Sequence, residues 1–387
     1  MKILMLVPQA FYSTRGTPLS AYHRTKELTQ YGHTVDILTY PIGAEPPDLD
    51  VKVYRSRGPH FWRAIKQGPS VRKIWFDGLF FLNAAYRISG SKYDLIYAHE
   101  EGAFMARLLK PFFKVPYIYD MHSSLPLQIE EWNFSKSRMV KGLFSWVEKV
   151  TVTGAKAIVA ISPAVADVAR SLSATKPIVT IVNKFELGAT PSGESITKLR
   201  SELGIEQGNK IVCYTGSFVA LQALDLLVQA VPRVLEKVPT CKFVLVGGQQ
   251  NEIQQLTNLT HTYGVKDAVI LIPSRPQQEM PVFMASSDVL VSSRVRGINP
   301  PGKLFAYLAS GKPVVATDVL VHNQILDNQC AFLTPATSEG LADGLITALT
   351  NKVAADRICD GAKALLHDKF STQARKAAFD ELIALAI

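Results

Sequence analysis

Short apolar runs rich in β-branched residues alternate along the chain with amphipathic stretches. Such runs are typical of buried parallel strands, and apolar positions three and four residues apart are typical of helices. The predicted strands are residues 1–7, 35–39, 51–54, 93–98, 117–120, 157–162, 178–182, 211–214, 243–246, 269–272, 288–292, 314–316 and 331–333. The last predicted helices are residues 338–349, 354–366 and 372–386. This alternation predicts an α/β fold with mostly parallel sheets.

The alternation runs twice, with a break between the two halves. A polar stretch rich in Gly, Ser and Pro follows Asn183 and extends to Gly193, which is typical of a linker. We therefore expect two Rossmann-like, doubly wound domains, residues 1–185 and 186–371. Two such domains that face each other make a deep cleft, which is the usual place for a small-molecule site.

One β-α-β unit carries a candidate anion site. Residues 288–292 and 314–316 are its strands, and a short helix is predicted between them after a loop rich in Gly and Pro. Arg294, Arg296 and Lys303 flank the start of that helix. Fixed cations beside a helix N-terminus suit a diphosphate. The alternative is a solvated basic loop with a proline-rich turn.

Polar side chains follow two predicted strands of the first half. Glu100 and Glu101 come soon after one strand, while Asp120 and His122 end the next. Open α/β sheets bind ligands at the carboxyl ends of their strands, so these groups are candidates for substrate contacts. Purely structural roles stay open for both pairs, because adjacent acids also open a helix favourably and His122 could cap the following helix.

The first strand is followed by a turn that contains Arg15 and Gly16. Gly16 would allow close approach of the backbone to a ligand. The turn lacks the G-x-G-x-x-G pattern, so a dinucleotide is not indicated. A simple tight turn is the alternative.

The segment 286–318 contains an ordered motif that consists of Pro301, Lys303, Leu304, Phe305, Tyr307, Leu308 and 311–317. This motif resembles the nucleotide-sugar-binding segment of retaining glycosyltransferases of family 4, which have the GT-B fold. The chain departs from that family at Ala306, where the family has a Glu that binds the donor ribose. It departs again at Ser217 and Gln222, where relatives commonly have an Arg and a Lys on the donor phosphates.

The resemblance covers the whole chain and implies roles for individual residues. It implies a place for His122 beside the donor sugar. The positive charge that a leaving diphosphate needs is expected from Lys303 and Arg294, so these three are the candidate catalytic residues. The implied donor-binding residues are Gly16, Gly216, Ser217, Gln222, Gly247, Ser274, Arg275, Arg296, Asn299, Gly302 and Leu304. From their positions after the strands and in the first turn, the candidate acceptor-binding residues are Arg15, Glu100, Glu101 and Asp120. Relatives also end with a helix that crosses back to the first domain, which residues 372–387 could form.

Composition indicates how large the domains can be and in which compartment the protein is expected. The chain has 387 residues, of which 47% are hydrophobic, so two domains can bury sizeable cores. Its four cysteines have no C-x-x-C spacing, so neither a zinc site nor a disulfide framework is indicated and a reducing compartment is expected. We expect no signal peptide and no membrane span, and therefore a cytoplasmic protein.

Positive charge is concentrated in the first half. Residues 1–185 carry 24 Lys and Arg against 14 Asp and Glu, whereas the rest of the chain carries 18 against 19. Residues 52–76 hold seven basic residues, no acidic residue, and Phe and Trp side chains between them. This composition suits the inner, anionic surface of the plasma membrane. Nucleic acid is a less favoured partner because no nucleic-acid-binding motif accompanies the segment. The structural alternative is a solvated loop followed by a helix whose aromatic side chains face the core.

The resemblance and these observations together predict a glycosyltransferase that uses a UDP- or GDP-sugar. The resemblance also implies that configuration is retained. The expected acceptor is lipid-linked or a saccharide, in cell-envelope glycan or glycolipid synthesis. No His/Asp grouping with ligand spacing is visible, so no cofactor and no metal are expected. A catalytically silent GT-B relative that binds nucleotide or glycan is the alternative, and an epimerase or phosphorylase has no specific support.

Overall fold

Two parallel sheets form the framework of the protein, one in each of two units. The computed structural model describes residues 1–12, 16–46, 48–58, 71–126, 137–183 and 190–386. Unit 1 is Met1–Asn183 with Thr372–Ile387, and unit 2 is Lys184–Ser371. Part of the predicted linker, residues 184–189, lies outside the described residues.

Unit 1 contains a seven-stranded sheet. Its strands are β1 Lys2–Val7, β2 Thr34–Thr39, β3 Lys52–Arg55, β4 Leu95–His99, β5 Tyr117–Met121, β6 Ala157–Ala160 and β7 Ile178–Thr180. They are parallel in the order β3-β2-β1-β4-β5-β6-β7. The described helices are α1 Gly16–Gln30, α2 Val71–Gly90, α3 Glu101–Phe113, α4 Arg138–Gly154, α5 Pro163–Leu172 and, from the end of the chain, α14 Thr372–Ala386.

The central strands of unit 1 are buried on both faces, which requires a layer of helices on each side. Every residue of β4 and β5 is buried. The connections through α2, α3 and α4 all run in the same direction across the sheet, so right-handed crossovers place these helices in one layer. In unit 1, α14 is held by Arg375, which pairs with Glu27 and donates to the carbonyl of Val182 at 2.8 Å.

Unit 2 contains a six-stranded parallel sheet in the order β10-β9-β8-β11-β12-β13. Its strands are β8 Ile211–Thr215, β9 Lys242–Gly248, β10 Val269–Pro273, β11 Val289–Ser292, β12 Val314–Thr317 and β13 Phe332–Thr334. Its helices are α6 Gly193–Glu202, α7 Leu224–Lys237, α8 Gln250–Thr262, α9 Met280–Ser286, α10 Lys303–Ala309, α11 Leu320–Asn323, α12 Ser338–Thr350 and α13 Lys352–Phe370. Aliphatic residues of β8, β9 and β11 pack with α7 and α12 into one core.

The predicted α/β class is confirmed, and each predicted strand has a counterpart. Some bounds differ for identifiable reasons. The strand predicted over 157–162 ends at Ala160 because Ser162 instead accepts the amide of Val165 and caps α5. The helix predicted over 354–366 begins at Lys352, since the side chain of Asn351 caps it.

No helix within the described ranges combines the length and the apolar character that crossing a membrane requires.

Candidate active site

The carboxyl ends of β8 and β11 meet at the point where the strand order of unit 2 reverses. From β8 the chain proceeds to β9 on one side, whereas from β11 it proceeds to β12 on the other. Crevices at such reversals are the usual ligand sites of open α/β sheets. The topology of unit 2 therefore places a candidate site next to Thr215 and Ser292, the last residues of these strands.

Lys303 is the central cation of this site. Its Nζ lies 3.5 Å from the centroid of the Tyr214 ring and 3.4 Å from Oε1 of Gln222. Its side chain keeps some contact with solvent, but the ammonium group is surrounded by protein atoms. This burial, together with the nearby charge of Arg294, holds the pKa of Lys303 well below its usual value. The ammonium group therefore lies beside neutral partners in a poorly solvated place.

Two glycines allow the chain to turn tightly beside Lys303. Gly216 and Gly247 have φ values of 137° and 125°. A Cβ at Gly247 would lie 2.2 Å from the carbonyl oxygen of Gly216, so no side chain fits there. A Cβ at Gly216 would lie 3.7 Å from Nζ of Lys303. The predicted donor-binding glycines thus lie next to the cation.

The loop after β11 is tied down by hydrogen bonds. Ser293 Oγ donates to the carbonyl of Gln222 at 2.8 Å. The Arg294 guanidinium donates to the carbonyls of Arg296 at 3.1 Å and Asn299 at 3.3 Å. These contacts fix Arg294 near Lys303, while the side chain of Arg296 is exposed.

A buried histidine that sequence reasoning did not single out supports this loop. Nε2 of His322 lies 2.9 Å from Oγ of Ser292, and Nδ1 lies 2.8 Å from the carbonyl of Thr317. Thr317 Oγ1 donates in turn to the carbonyl of Arg294. Burial lowers the pKa of His322 to about 4, so the ring is neutral at pH 7 and fixes the loop by hydrogen bonding.

The remaining residues that were predicted to bind the donor lie at several different places in unit 2. Ser217 accepts a hydrogen bond from the Tyr214 hydroxyl through its carbonyl, next to Gly216. Ser274 and Arg275 follow β10, the edge strand of the sheet, and are exposed. Leu304 is fully buried and its amide donates to the carbonyl of Pro301, so both its side chain and its amide are used internally. Gly302 is the N-cap of α10.

In unit 1, Asp120 is the centre of a buried polar cluster at the carboxyl edge of β4 and β5. Its Oδ2 accepts from Arg24 Nε at 3.3 Å and from the Tyr97 hydroxyl at 2.9 Å. Its Oδ1 lies 3.2 Å from Nε2 of His122. Burial alone would raise the pKa of Asp120, but His122, His99 and Arg24 together hold it below its usual value. Asp120 is therefore an ionised carboxylate with several partners.

His99 adds a second imidazole to this cluster. Its Nδ1 lies 3.3 Å from Nε2 of His122 and 3.6 Å from Oδ2 of Asp120. Burial lowers the pKa of His99 to about 3, so its ring is neutral at pH 7. His122 is thus held between a carboxylate and a neutral imidazole. Sequence reasoning did not propose His99 or Arg24, whose contacts with this cluster become visible only in the fold.

The two adjacent acids after β4 have different surroundings. Glu100 is buried, has a φ of 47°, and lies 3.4 Å from the hydroxyl of Ser123. Burial, with the charges of Glu101 and Asp120, raises the pKa of Glu100 well above its usual value. Glu101 instead pairs with Lys73 at 2.8 Å. Strained backbone at a buried acid is frequent in functional sites, which favours Glu100 over Glu101 as a substrate contact.

The first turn is only partly described. Gly16 begins α1 with a φ of 64° and is exposed, with no atom within 4 Å of an added Cβ. This left-handed conformation explains why glycine is suited to the position. Arg15 lies outside the described residues.

The structure brings together a His/Asp grouping that residue spacing did not reveal. One ligand atom from each of His99, Asp120 and His122 lies within 4.8 Å of the others. The donor set resembles that of many divalent-metal sites. The Arg24 guanidinium, 3.3 Å from Oδ2 of Asp120, already neutralises the single carboxylate and would repel a dication. The cluster therefore fits a hydrogen-bonded network better than a metal.

Comparisons with known proteins agree with this architecture. Residues 14–184 match the family model described as Glycosyltransferase Family 4, and residues 209–351 match the one described as Glycosyl transferases group 1. An uncharacterized glycosyltransferase of Methanocaldococcus jannaschii is 23% identical over 89% of this chain and 87% of its own length.

Solved structures show the same fold. Sucrose-phosphate synthase from Thermosynechococcus elongatus superposes with a TM-score of 0.77 and 18% identity, covering 99% of this chain and 98% of its own. The Anabaena protein HepE in complex with UDP superposes with a TM-score of 0.76 and 18% identity, covering 99% of this chain and 100% of its own.

The two parallel-sheet units and these matches define a GT-B glycosyltransferase. Within that class, the chain carries a family 4 domain in unit 1 and a group 1 domain in unit 2.

Proposed function

We propose that this glycosyltransferase moves a sugar from a nucleoside-diphosphate donor to a hydroxyl of a lipid-linked or saccharide acceptor, with retention of configuration. Cell-envelope glycan or glycolipid synthesis is the setting that we infer. The observation that carries the proposal is the position of Lys303, with Arg294 nearby, at the strand-order reversal of unit 2.

The physical argument concerns the charge of the leaving group. A departing nucleoside diphosphate gains negative charge as the glycosidic bond breaks, and prearranged cations stabilise that charge most in a poorly solvated site. The ammonium of Lys303 lies beside the neutral groups of Tyr214 and Gln222, so an arriving diphosphate would be its counter-charge. Gln222 stands where relatives commonly have a lysine, and Lys303 reaches its side chain from another element.

Solved structures of a similar protein support the donor class. HepE has been solved with UDP and with UDP-glucose. We propose a UDP- or GDP-sugar for this chain, with the leaving diphosphate neutralised by Lys303 and Arg294 and no metal needed. Addition of EDTA should then leave turnover unchanged.

We propose that unit 1 supplies the groups that orient the reacting hydroxyl. His122 is held by Asp120 and His99, so its ring is positioned before substrate arrives. Glu100 has a raised pKa and is suited to donate a hydrogen bond to a substrate oxygen.

Calorimetry with UDP and GDP, followed by assays of sugar transfer and sugar release, tests this function. We expect one nucleotide to bind and its sugar to be turned over. The second candidate is a silent relative that binds nucleotide only, favoured by the absence of the family's usual residues at Ser217, Gln222 and Ala306. Tight nucleotide binding without any turnover would select that candidate, and absence of binding by either nucleotide would reject both.

A further inference from the structure

One helical layer of unit 1 exposes most of the large apolar side chains found at the surface. Of the 15 exposed large hydrophobic residues in the described part of the chain, nine lie on α2, α3 and α4. They are Ile74, Trp75, Leu82, Tyr86, Leu108, Phe112, Met139, Leu143 and Trp146. We call them the apolar face. Since α2 packs against α3 and α3 packs against α4, these side chains lie on neighbouring helices of one layer.

The helix α4 shows that this exposure is patterned. Met139, Leu143 and Trp146 are spaced four and three residues apart, and their exposed fractions are 84%, 56% and 57%. This spacing gives an apolar stripe that points away from the core. The four aromatic side chains of the apolar face together expose on the order of 500 Å², a total that matches the area of the largest apolar patch on a typical monomer.

The charges on the same helices are mostly positive. Together α2, α3 and α4 contain eight basic and three acidic residues. Asp77 and Glu101 are both paired with Lys73, and Glu148 is buried and accepts from Ser124 and the amide of Leu125. The acidic groups are therefore engaged internally, and the exposed layer presents positive charge beside apolar side chains.

A basic pocket lies between the C-terminal ends of α3 and α4. It has a volume of about 470 Å³ and is lined by Arg107, Lys110, Pro111, Lys114, Thr153 and Gly154. Burial, followed by the charges of Lys176, Arg107 and Lys156, lowers the pKa of Lys110. This local excess of cations makes the pocket suitable for an anion.

Part of this positive charge has a structural role. Lys110 Nζ donates to the carbonyl of Gly154 at 2.9 Å, and Lys176 Nζ donates to the carbonyl of Ala155 at 2.7 Å, so both stabilise the end of α4. Among the described residues, the structure records no ion pair for Arg107 or Lys114. These two cations remain to bind an external anion.

The basic and aromatic segment 52–76 contributes less to this surface than its composition suggests. Phe76 is fully buried, Lys73 pairs with Asp77 and Glu101, and Arg55 pairs with Glu45. Residues 59–70 lie outside the described residues. Arg72 and Trp75 are exposed, and they join the layer formed by α2, α3 and α4.

We propose that the layer formed by α2, α3 and α4 docks on an anionic phospholipid bilayer. A headgroup phosphate enters the basic pocket, and the apolar face lies in the interfacial region of the membrane. On α3, Leu108 and Phe112 directly follow the pocket residues Arg107 and Pro111, so charged and apolar contacts occur side by side. It lies at the amino edge of the sheet, opposite the edge that carries His122, so docking does not occupy the polar cluster around Asp120. The proposal does not depend on the donor or on turnover.

Co-sedimentation with vesicles tests this proposal without substrate. The protein should bind vesicles that contain about 30 mol% phosphatidylglycerol in phosphatidylcholine, and bind pure phosphatidylcholine vesicles far more weakly. The double variant Arg107→Gln with Lys114→Gln should lower the affinity for anionic vesicles about 25-fold, since each cation near such a surface contributes about fivefold. The matched control is Lys266→Gln with Lys369→Gln in unit 2, which should bind like the unchanged protein.

A second pair of variants tests the apolar face. Phe112→Ser with Trp146→Ser should lower binding to anionic vesicles at least tenfold, whereas Leu320→Ser with Val353→Ser on unit 2 should not change it. All four positions are exposed, and circular dichroism will verify folding.

Equal binding to neutral vesicles, or no binding to either kind, would overturn the proposal. So would light scattering that shows a dimer lost in the Phe112 and Trp146 variant, because a second copy would then cover the face. Inorganic phosphate that binds the protein while vesicles do not would also overturn it.

Discussion

The polar clusters at the carboxyl edges of the two sheets differ in whether the central charged group has partners of opposite charge within the protein. In unit 1, Asp120 is surrounded by Arg24, Tyr97 and two histidines, so its charge is balanced inside the protein. In unit 2, Lys303 lies against an aromatic ring and an amide, so its charge is poorly balanced until an anion arrives. The Asp120 cluster is therefore formed before substrate binds, whereas the Lys303 site is stabilised most when an anion binds.

The largest expected effect comes from breaking the balanced cluster. Asp120→Asn removes the closest counter-charge of the buried Arg24 and leaves it only Glu27, at 3.6 Å. We expect a loss of about 3–5 kcal/mol in the free energy of unfolding. Urea denaturation will measure it. The control is Asp167→Asn, because Asp167 pairs with Arg170 on the surface of the same unit and such pairs contribute less than about 1 kcal/mol. Equal effects at both positions would contradict the account of unit 1.

Removing Lys303, the unbalanced cation, is expected to reduce activity without reducing stability. Lys303→Ala should cost about 2–4 kcal/mol of transition-state stabilisation, measured as kcat/KM, because a charged contact to the leaving group is lost. Its melting temperature should not fall, since a desolvated charge is removed. Lys312→Ala removes another lysine of unit 2 whose pKa burial lowers, and it should keep its activity. Activity of Lys303→Ala at the unchanged level would reject the assignment.

His122 is expected to act on turnover more than on binding. His122→Ala should lower kcat about 100-fold and change donor affinity less. A loss of about 100-fold is at the low end of the rate contribution of a group that assists proton transfer or orientation. Steady-state kinetics and nucleotide calorimetry measure the two quantities separately. The control is His33→Ala, because His33 is a partly buried histidine of unit 1 that lies outside this cluster. A change confined to donor affinity would contradict a role of His122 at the reacting groups.

The last test concerns acid. His99 and His322 have pKa values lowered to about 3 and about 4, whereas the unfolded chain titrates near 6.5. The unfolded state therefore binds protons first, so the stability present above about pH 6.5 should fall as pH decreases towards about 4. Urea midpoints at several pH values measure this slope. His322→Gln should reduce it, and a slope unchanged in that variant would show that His322 is not held neutral.

The sequence predicts the framework well because buried strands leave a local signal. The apolar runs that become β8 and β11 could be read directly, and so could the polar residues that follow β4 and β5. Which polar groups touch one another could not be read in this way. Arg24 and Asp120 are 96 residues apart, and Lys303 and Gln222 are 81 apart.

The same limit accounts for the residues that sequence reasoning missed or placed differently. His322 lies on a four-residue helix without a motif, and its role follows only from contacts with Ser292 and Thr317. Leu304 belongs to the matched segment, yet it is a core residue because α10 packs that side chain inward. Burial and pairing depend on tertiary contacts, which residue types and spacing do not record.

The central claim is that the ammonium group of Lys303 is the counter-charge of the donor diphosphate. The most direct test is calorimetry of UDP and GDP binding between about pH 7 and 9, with the unchanged protein and with Lys303→Met. Because burial lowers the pKa of free Lys303 and an anion would raise it, we predict proton uptake on binding and weaker binding as pH rises, both lost in Lys303→Met. Nucleotide binding with the same affinity and the same pH dependence in both proteins would contradict the claim.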